Sequence, residues 1–180
     1  SFVIGTQTLH GVGMAMALQR EHRVGNDDAA ANGAVVVYFG DGATSQGDAN
    51  EAFVFATSAN APVVFFCQNN QYAISEPTSL QSRIPLYRRA AGFGFPGVRV
   101  DGNDVLAVQA VTTWALERAR RGGGPVLVEA FTYRMGAHTT SDDPSKYRTR
   151  DEEGEWGARD PIARVKSYLL SVGAIDQAWL

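Results

Sequence analysis

The chain has 180 residues, with 16 basic and 19 acidic side chains, a formal net charge of −3 and one cysteine. That length fits one globular domain with a core of its own, and a slightly negative balance without a basic stripe argues against a nucleic-acid partner. A lone cysteine allows no disulfide within the chain, which suits a reducing compartment, and neither a membrane-spanning apolar run nor a signal peptide is visible.

Leu9–Arg20 is rich in Gly, Ala and Met and reads as a helix that can pack closely on a sheet or a partner. His10 lies in it, and a lone helical histidine is more often structural than catalytic. Arg23–Gly33 is a polar surface loop. Ala34–Phe39 (AVVVYF) has the β-branched, apolar character of a buried strand, and Gly40-Asp41-Gly42 stands where that strand would leave the sheet. A helical stretch, Gly47–Ala59, leads to a second buried run, Pro62–Cys67, which ends in Gln68-Asn69-Asn70. The result is a βαβ unit with polar groups at the carboxyl ends of both strands, the ends that line the ligand crevice of open parallel sheets.

Asp41 offers a hard anionic oxygen and Asn70 a neutral amide oxygen. Such a set suits Mg²⁺, which takes few protein carboxylates and shares its shell with phosphates. Gly40 and Gly42 permit a tight turn and close approach of a ligand, and the amides that follow precede a helix, where they can point at a phosphate. The pattern predicts a Mg²⁺–diphosphate clamp.

Further along, Leu80–Phe93 reads as a helix with Arg83, Arg88 and Arg89 outward. Arg88-Arg89 is either a phosphate patch or, as is commoner, a solvated helix face. Gly97–Val100 is a short strand, and Asp101-Gly102-Asn103-Asp104 forms a turn and helix cap. Asp104–Arg121 carries Val105, Val108, Val111, Ala115 and Ala119 at helical spacing and stops at three glycines. Pro125–Tyr133 (PVLVEAFTY) is the last buried strand. Alternating strands and helices predict an α/β fold with a doubly wound parallel sheet. Residues 1–150 form that domain, and residues 151–180 begin a helical tail. Asp160-Pro161 opens its helix, with Ile162, Val165, Tyr168 and Leu169 on the apolar face.

GDG at 40–42, followed after 26 residues by NN at 69–70, resembles the thiamine diphosphate signature. The segments FGDGATSQGD, FFCQNNQYAIS, VRVDGND, YRMGAHTTSDDPSKYR and DPIARVKSYLL resemble the alpha subunit of the first component (E1) of 2-oxo acid dehydrogenases, a group with pyruvate, branched-chain and acetoin enzymes. The resemblance covers nearly the whole chain. It implies a thiamine diphosphate-binding fold and thiamine diphosphate- and Mg²⁺-dependent oxidative decarboxylation of a 2-oxo acid, with acyl transfer to lipoamide.

Residue by residue, it makes Asp41, Asn70 and the backbone carbonyl of Tyr72 the metal ligands. Ile4, Gly42, Ala43, Ile74, Arg134 and His138 join Asp41, Asn70 and Tyr72 around the cofactor. Ile4 supports its bent form, and Ile74 lies near the pyrimidine. His138 matches a histidine near the reacting centre, able to donate to a developing oxyanion or to shuttle a proton. Thr6 and Gln7 match positions that line a K⁺ site in some members, or else are ordinary helix-leading residues. Gln46 could face the reacting carbon. Gln68 departs from relatives that carry Arg there, which weakens or relocates a diphosphate contact. Arg134 could pair with phosphate or with an acidic loop residue. Thr139 stands where animal enzymes carry a phosphorylatable serine, and Ala137 where some branched-chain enzymes have a second histidine. Asp142, Tyr147 and Arg148 would hold that loop together.

The family's pyrimidine-activating glutamate comes from a beta subunit, so the implied assembly is an α₂β₂ heterotetramer that serves a lipoyl-bearing acyltransferase. The isolated chain should be inactive. The chain reads as a fragment, starting in mid-domain at Ser1 and stopping inside a helix-like tail at Leu180. A bacterial cytoplasm is the favoured location, or the mitochondrial matrix if the source is eukaryotic. Three rivals stand beside this reading. Another thiamine diphosphate enzyme would share the metal motif but not HTTSDDPSKYR. A dinucleotide-binding domain needs GxGxxG, whose spacing GDGATSQG does not meet. A non-catalytic α/β binding module would show no Mg²⁺-dependent stabilisation by thiamine diphosphate. Pyruvate and branched-chain substrates are not separated: DDPSKYRTRDEEGEW looks like Gram-positive pyruvate enzymes, and TTSDD without an insertion looks like branched-chain ones.

Overall fold

The computed structural model describes residues 3–179. Its elements are, in chain order, α1 (Thr6–Arg20), β1 (Val35–Gly40), α2 (Gly47–Ser58), β2 (Val63–Asn69), β3 (Tyr72–Ala73), β4 (Glu76–Pro77), α3 (Thr78–Gln81), α4 (Arg89–Phe93), β5 (Gly97–Asp101), α5 (Val105–Arg120), β6 (Val126–Phe131), α6 (Arg150–Gly157) and α7 (Pro161–Ser171). The four longer strands form one parallel sheet in the order β1-β2-β6-β5. β3 and β4 make a small antiparallel hairpin.

Strand alternation splits the core in two. Phe39, Phe65 and Cys67 point to one face and meet Val12 and Ala15 of α1, Phe53 of α2 and Ala90 of α4. Phe53 is fully buried and meets Phe65, Phe93 and Phe95 edge to face. Val64, Phe66, Val126 and Val128 point to the other face and meet Ala115 and Ala119 of α5. Central strands buried on both faces must be apolar nearly throughout, as VVFFC and VLV are. Helices on both faces of a parallel sheet make the doubly wound arrangement the alternation predicts.

Several expectations need correction. Leu80–Phe93 is not one helix. Pro85 lacks an N–H and disfavours a helical residue before it, so the segment breaks into α3, a 3₁₀ turn at Leu86–Arg88 and α4. Arg89 does not face outward. It turns in, donating to the Thr44 carbonyl at 2.7 Å and to Asn50 Oδ1 at 2.6 Å. Helix α1 starts at Thr6, so Thr6 and Gln7 belong to its first turn, not to a preceding loop. The β3–β4 hairpin is too short for any periodic pattern to show. α6 was hidden in a charged stretch, where Thr149 caps a first turn carrying Asp151, Glu152 and Glu153. Ser1, Phe2 and Leu180, which end the segments read above, lie outside the described residues. Among the described residues, no helix is long and apolar enough to cross a membrane.

Candidate active site

The carboxyl ends of β1 and β2 lie side by side, with Gly40 in register with Gln68. The chain leaves β1 in a 3₁₀ turn, Asp41–Ser45, that the Thr44 hydroxyl closes on the Asp41 carbonyl at 2.7 Å. It leaves β2 through Asn69-Asn70-Gln71 into the hairpin. The two turns touch: a Cβ on Gly42 would come within 2.8 Å of the Ala73 Cβ. The glycine is needed for this close approach of one turn to the Ala73 methyl of the other. Gly40, by contrast, faces open space.

Asp41 is 2 % exposed, and its Oδ2 accepts from Thr78 Oγ1 at 3.2 Å and Gln81 Nε2 at 3.3 Å. No hydrogen bond reaches its Oδ1 among the described residues. Asn70 Oδ1 accepts from the Tyr72 N–H at 3.2 Å. The Tyr72 carbonyl accepts from Arg134 Nη1 at 2.8 Å, which leaves one lone pair. One carboxylate among neutral oxygens is a donor set that fits Mg²⁺ sharing its shell with phosphates. The described residues hold no group of three His, Cys, Asp or Glu side chains that would suggest another metal.

The turn is strained. Gln71 and Ile74 have φ of +75° and +58°, unusual for residues with a side chain and most of all for β-branched Ile74. Arg134 Nη2 fastens the Ile74 carbonyl at 2.5 Å and also reaches Tyr147 Oη at 2.9 Å. Arg134 thus ties the loop after β6 to two backbone carbonyls and a phenol, and among the described residues no hydrogen bond joins it to the acidic loop residue that was the alternative expectation. Asp142, Tyr147 and Arg148 do hold that loop. Tyr147 Oη donates to Asp142 Oδ2 at 2.6 Å, the His138 N–H donates to the same oxygen at 2.8 Å, and Arg148 donates to the carbonyls of Arg134, Met135 and Gly136. The bonds from Tyr147 and the His138 backbone hold the Asp142 carboxyl below the ordinary value. The tail closes over this end of the sheet. Trp156 of α6 stacks on Tyr133 at 5.6 Å, and the Tyr72 hydroxyl donates to Glu152 at 3.0 Å. Burial first, and the charge of Glu152 next, push the Tyr133 phenol up to about 12.

Asp41, Gly42, Ala43, Asn70, Tyr72, Ile74 and Arg134 therefore form one connected neighbourhood. His138 lies on its exposed rim, and no hydrogen bond joins its imidazole to the others among the described residues. Ile4 is 61 % exposed, on a turn whose next residue, Gly5, has φ +92°; a Cβ added there would lie 3.3 Å from the Gln46 Cβ. Thr6 Oγ1 donates to Asp48 Oδ2 at 3.0 Å and Gln7 Nε2 to the Tyr38 carbonyl at 3.1 Å, so the Thr6 hydroxyl hydrogen and one Gln7 amide hydrogen are committed within the protein. Gln68 points to the opposite face from Asn69 and lines a cleft with Thr132, Tyr133 and Trp156. Cys67 is buried. Burial, then the nearby Glu129 and Asp41 carboxylates, raise its thiol well above the ordinary value, which makes it inert.

The sequence reading missed Thr78, Gln81, Arg99 and Glu129, and gave Asn69 and Arg89 no part in holding the two turns. Glu129 had a visible signal, a lone acid inside the apolar run PVLVEAF. It is wholly buried and paired with Arg99 at 2.7 Å. Burial pushes its carboxyl up, but hydrogen bonds from Arg99, Asn69 and the Tyr87 N–H outweigh that and hold it below the ordinary glutamate value.

Two asparagine- and aspartate-bearing turns at the carboxyl ends of a doubly wound sheet define an α/β fold of the thiamine diphosphate-binding class. Transketolases from Pichia stipitis and Leishmania mexicana share it, with TM-scores of 0.58 and 0.59 over 71 % and 72 % of this chain, at 22 % and 20 % identity and over 19 % and 20 % of their own lengths. The chain belongs to the dehydrogenase E1 component family, whose model matches residues 1–180. It is 51 % identical over 98 % of its length to the 3-methyl-2-oxobutanoate dehydrogenase subunit alpha of Mycobacterium tuberculosis. It is 46 % identical over 96 % to the pyruvate dehydrogenase E1 component subunit alpha of Acholeplasma laidlawii, and 47 % over 97 % to the mitochondrial 2-oxoisovalerate dehydrogenase subunit alpha of Homo sapiens. It spans 46 %, 48 % and 38 % of these relatives, about half their length or less.

Proposed function

We propose that the chain carries the metal- and diphosphate-binding half of a thiamine diphosphate-dependent 2-oxo acid dehydrogenase, completed by a beta subunit in an α₂β₂ assembly. The observation that carries this reading is the meeting of the Asp41 turn with the Asn69–Ile74 turn at the carboxyl end of the sheet. Asp41, Asn70 and the Tyr72 carbonyl would hold Mg²⁺, and the amides of Gly42 and Ala43 would face the diphosphate. Ile4 and Ile74, both exposed, would support the rest of the cofactor. The Thr6 hydroxyl oxygen and the free amide oxygen of Gln7 would serve K⁺. When bound, thiamine diphosphate supplies the electron sink for loss of CO₂ from a 2-oxo acid. His138, on the exposed rim, would donate a proton at the reacting end and in acyl transfer to a lipoyl group. Relatives named for pyruvate and for branched-chain substrates both match, so the substrate class is a 2-oxo acid. A bacterial cytoplasm is the proposed location.

The test is dye reduction by pyruvate and, separately, by 2-oxoisovalerate, with the full-length chain co-produced with its beta subunit. Activity on one acid that needs thiamine diphosphate and Mg²⁺ and is lost in Asp41→Ala is the expected result. Activity that survives Asp41→Ala would refute the metal assignment.

A further inference from the structure

The ligand positions account for Asp41, Asn70 and Tyr72 but not for the second buried acid. Glu129, in the middle of β6, is wholly enclosed. Taking a carboxylate out of water costs free energy that its partners often do no more than offset, so its presence calls for a reason other than stability. Oε1 accepts from Asn69 Nδ2 at 2.7 Å and from Arg99 Nη2 at 2.7 Å, and Oε2 accepts from the Tyr87 N–H at 2.9 Å. An ionised carboxylate can only accept. It therefore selects the end of the Asn69 amide that faces it: the NH₂ turns toward Glu129 and Oδ1 turns away. That oxygen accepts from the Gln71 N–H at 3.0 Å and from Thr78 Oγ1 at 3.1 Å.

Both contacts lead to the proposed cation ligands. Gln71, held at φ +75°, is the step between Asn70 and Tyr72. Thr78 has one hydroxyl hydrogen and two acceptors in reach, Asn69 Oδ1 and, at 3.2 Å, Asp41 Oδ2. The chain Arg99–Glu129–Asn69 thus bears on all three proposed ligand positions while being none of them. We infer that Glu129, acting through Asn69 and Thr78, is a positioning residue that sets the geometry of the Mg²⁺–diphosphate turn. This inference rests on the functional reading above.

Glu129→Gln keeps the size but offers Asn69 an amide, which accepts either flip. Thr78→Val removes the bridging hydroxyl from a partly buried position at nearly constant volume and folds even if Glu129→Gln does not. Thr78→Ser keeps the hydroxyl. The full-length chain with its beta subunit, stripped of cofactor, is titrated with thiamine diphosphate in the presence of Mg²⁺ by calorimetry. The melting temperature of the cofactor-free protein is measured in parallel. Affinity should weaken about 10- to 100-fold in Glu129→Gln and about tenfold in Thr78→Val, the range for lost outer partners of a metal site, and Thr78→Ser should match wild type. Wild-type affinity in the variants, with or without a lower melting temperature, overturns the inference and leaves the cofactor site standing, since Glu129 would then only brace the sheet. Failure of the wild-type complex itself to bind would remove the site reading and this inference together.

Discussion

Single side chains at the ends of β1, β2 and β6 decide how the candidate site is shaped. Gly42 is the clearest case, because its missing Cβ lets the Asp41 turn lie on Ala73. Gly42→Ala should destabilise by about 1–3 kcal/mol, the cost of an overpacked methyl, read as a lower urea midpoint. Arg99 is the next, since it neutralises a carboxylate with no exposure of its own. Arg99→Gln should cost about 2–3 kcal/mol, because a buried charge loses its partner while two other donors remain. The Glu129 carboxyl is held below the ordinary 4.5, so its contribution is fully present above that value and is lost as pH falls through the lower folded value. Stability followed by urea titration should therefore fall below pH 4.5, and the acid slope should flatten in Glu129→Gln. An acid slope unchanged in Glu129→Gln would remove this account.

Elements are held here by caps and by short polar ties more than by their own periodicity. α5 begins where Asp104 accepts from the N–H groups of Leu106 and Ala107, at 3.1 and 3.0 Å. Asp104→Ala should cost about 1 kcal/mol, measurable in the same melts. α7 is tied down by Arg164, which reaches Asp101 at 2.9 Å and Asp104 at 3.3 Å, while Ile162 and Tyr168 stay uncovered. The loop from Arg134 to Arg148 is fastened through Asp142 and Tyr147 rather than by apolar burial. Tyr147→Phe should therefore speed limited proteolysis of this loop with little change in the global melt. Equal cleavage rates in wild type and variant would show that the phenol does not hold it. Such ties are poorly legible in sequence. The long apolar strands and α5 announced themselves by pattern. α3, α6 and the β3–β4 hairpin did not, because each is short and stands by contacts to residues far along the chain.

At the scale of the molecule, two cores flank one sheet, and the polar groups gather at its carboxyl edge. Composition, strand–helix alternation and the GDG and NN motifs suffice for the α/β class and for placing Asp41 and Asn70 just beyond the carboxyl ends of β1 and β2, because these depend on local pattern and spacing. Partner choice does not follow from spacing. Arg134 takes the Tyr72 and Ile74 carbonyls, Arg89 turns inward onto Thr44, and Glu129 joins Arg99 and Asn69 across three strands. Those bonds connect residues 30 to 62 positions apart. A buried charge must find donors wherever the fold brings them, so only the assembled sheet decides which side chains hold the Asn69–Ile74 turn in place.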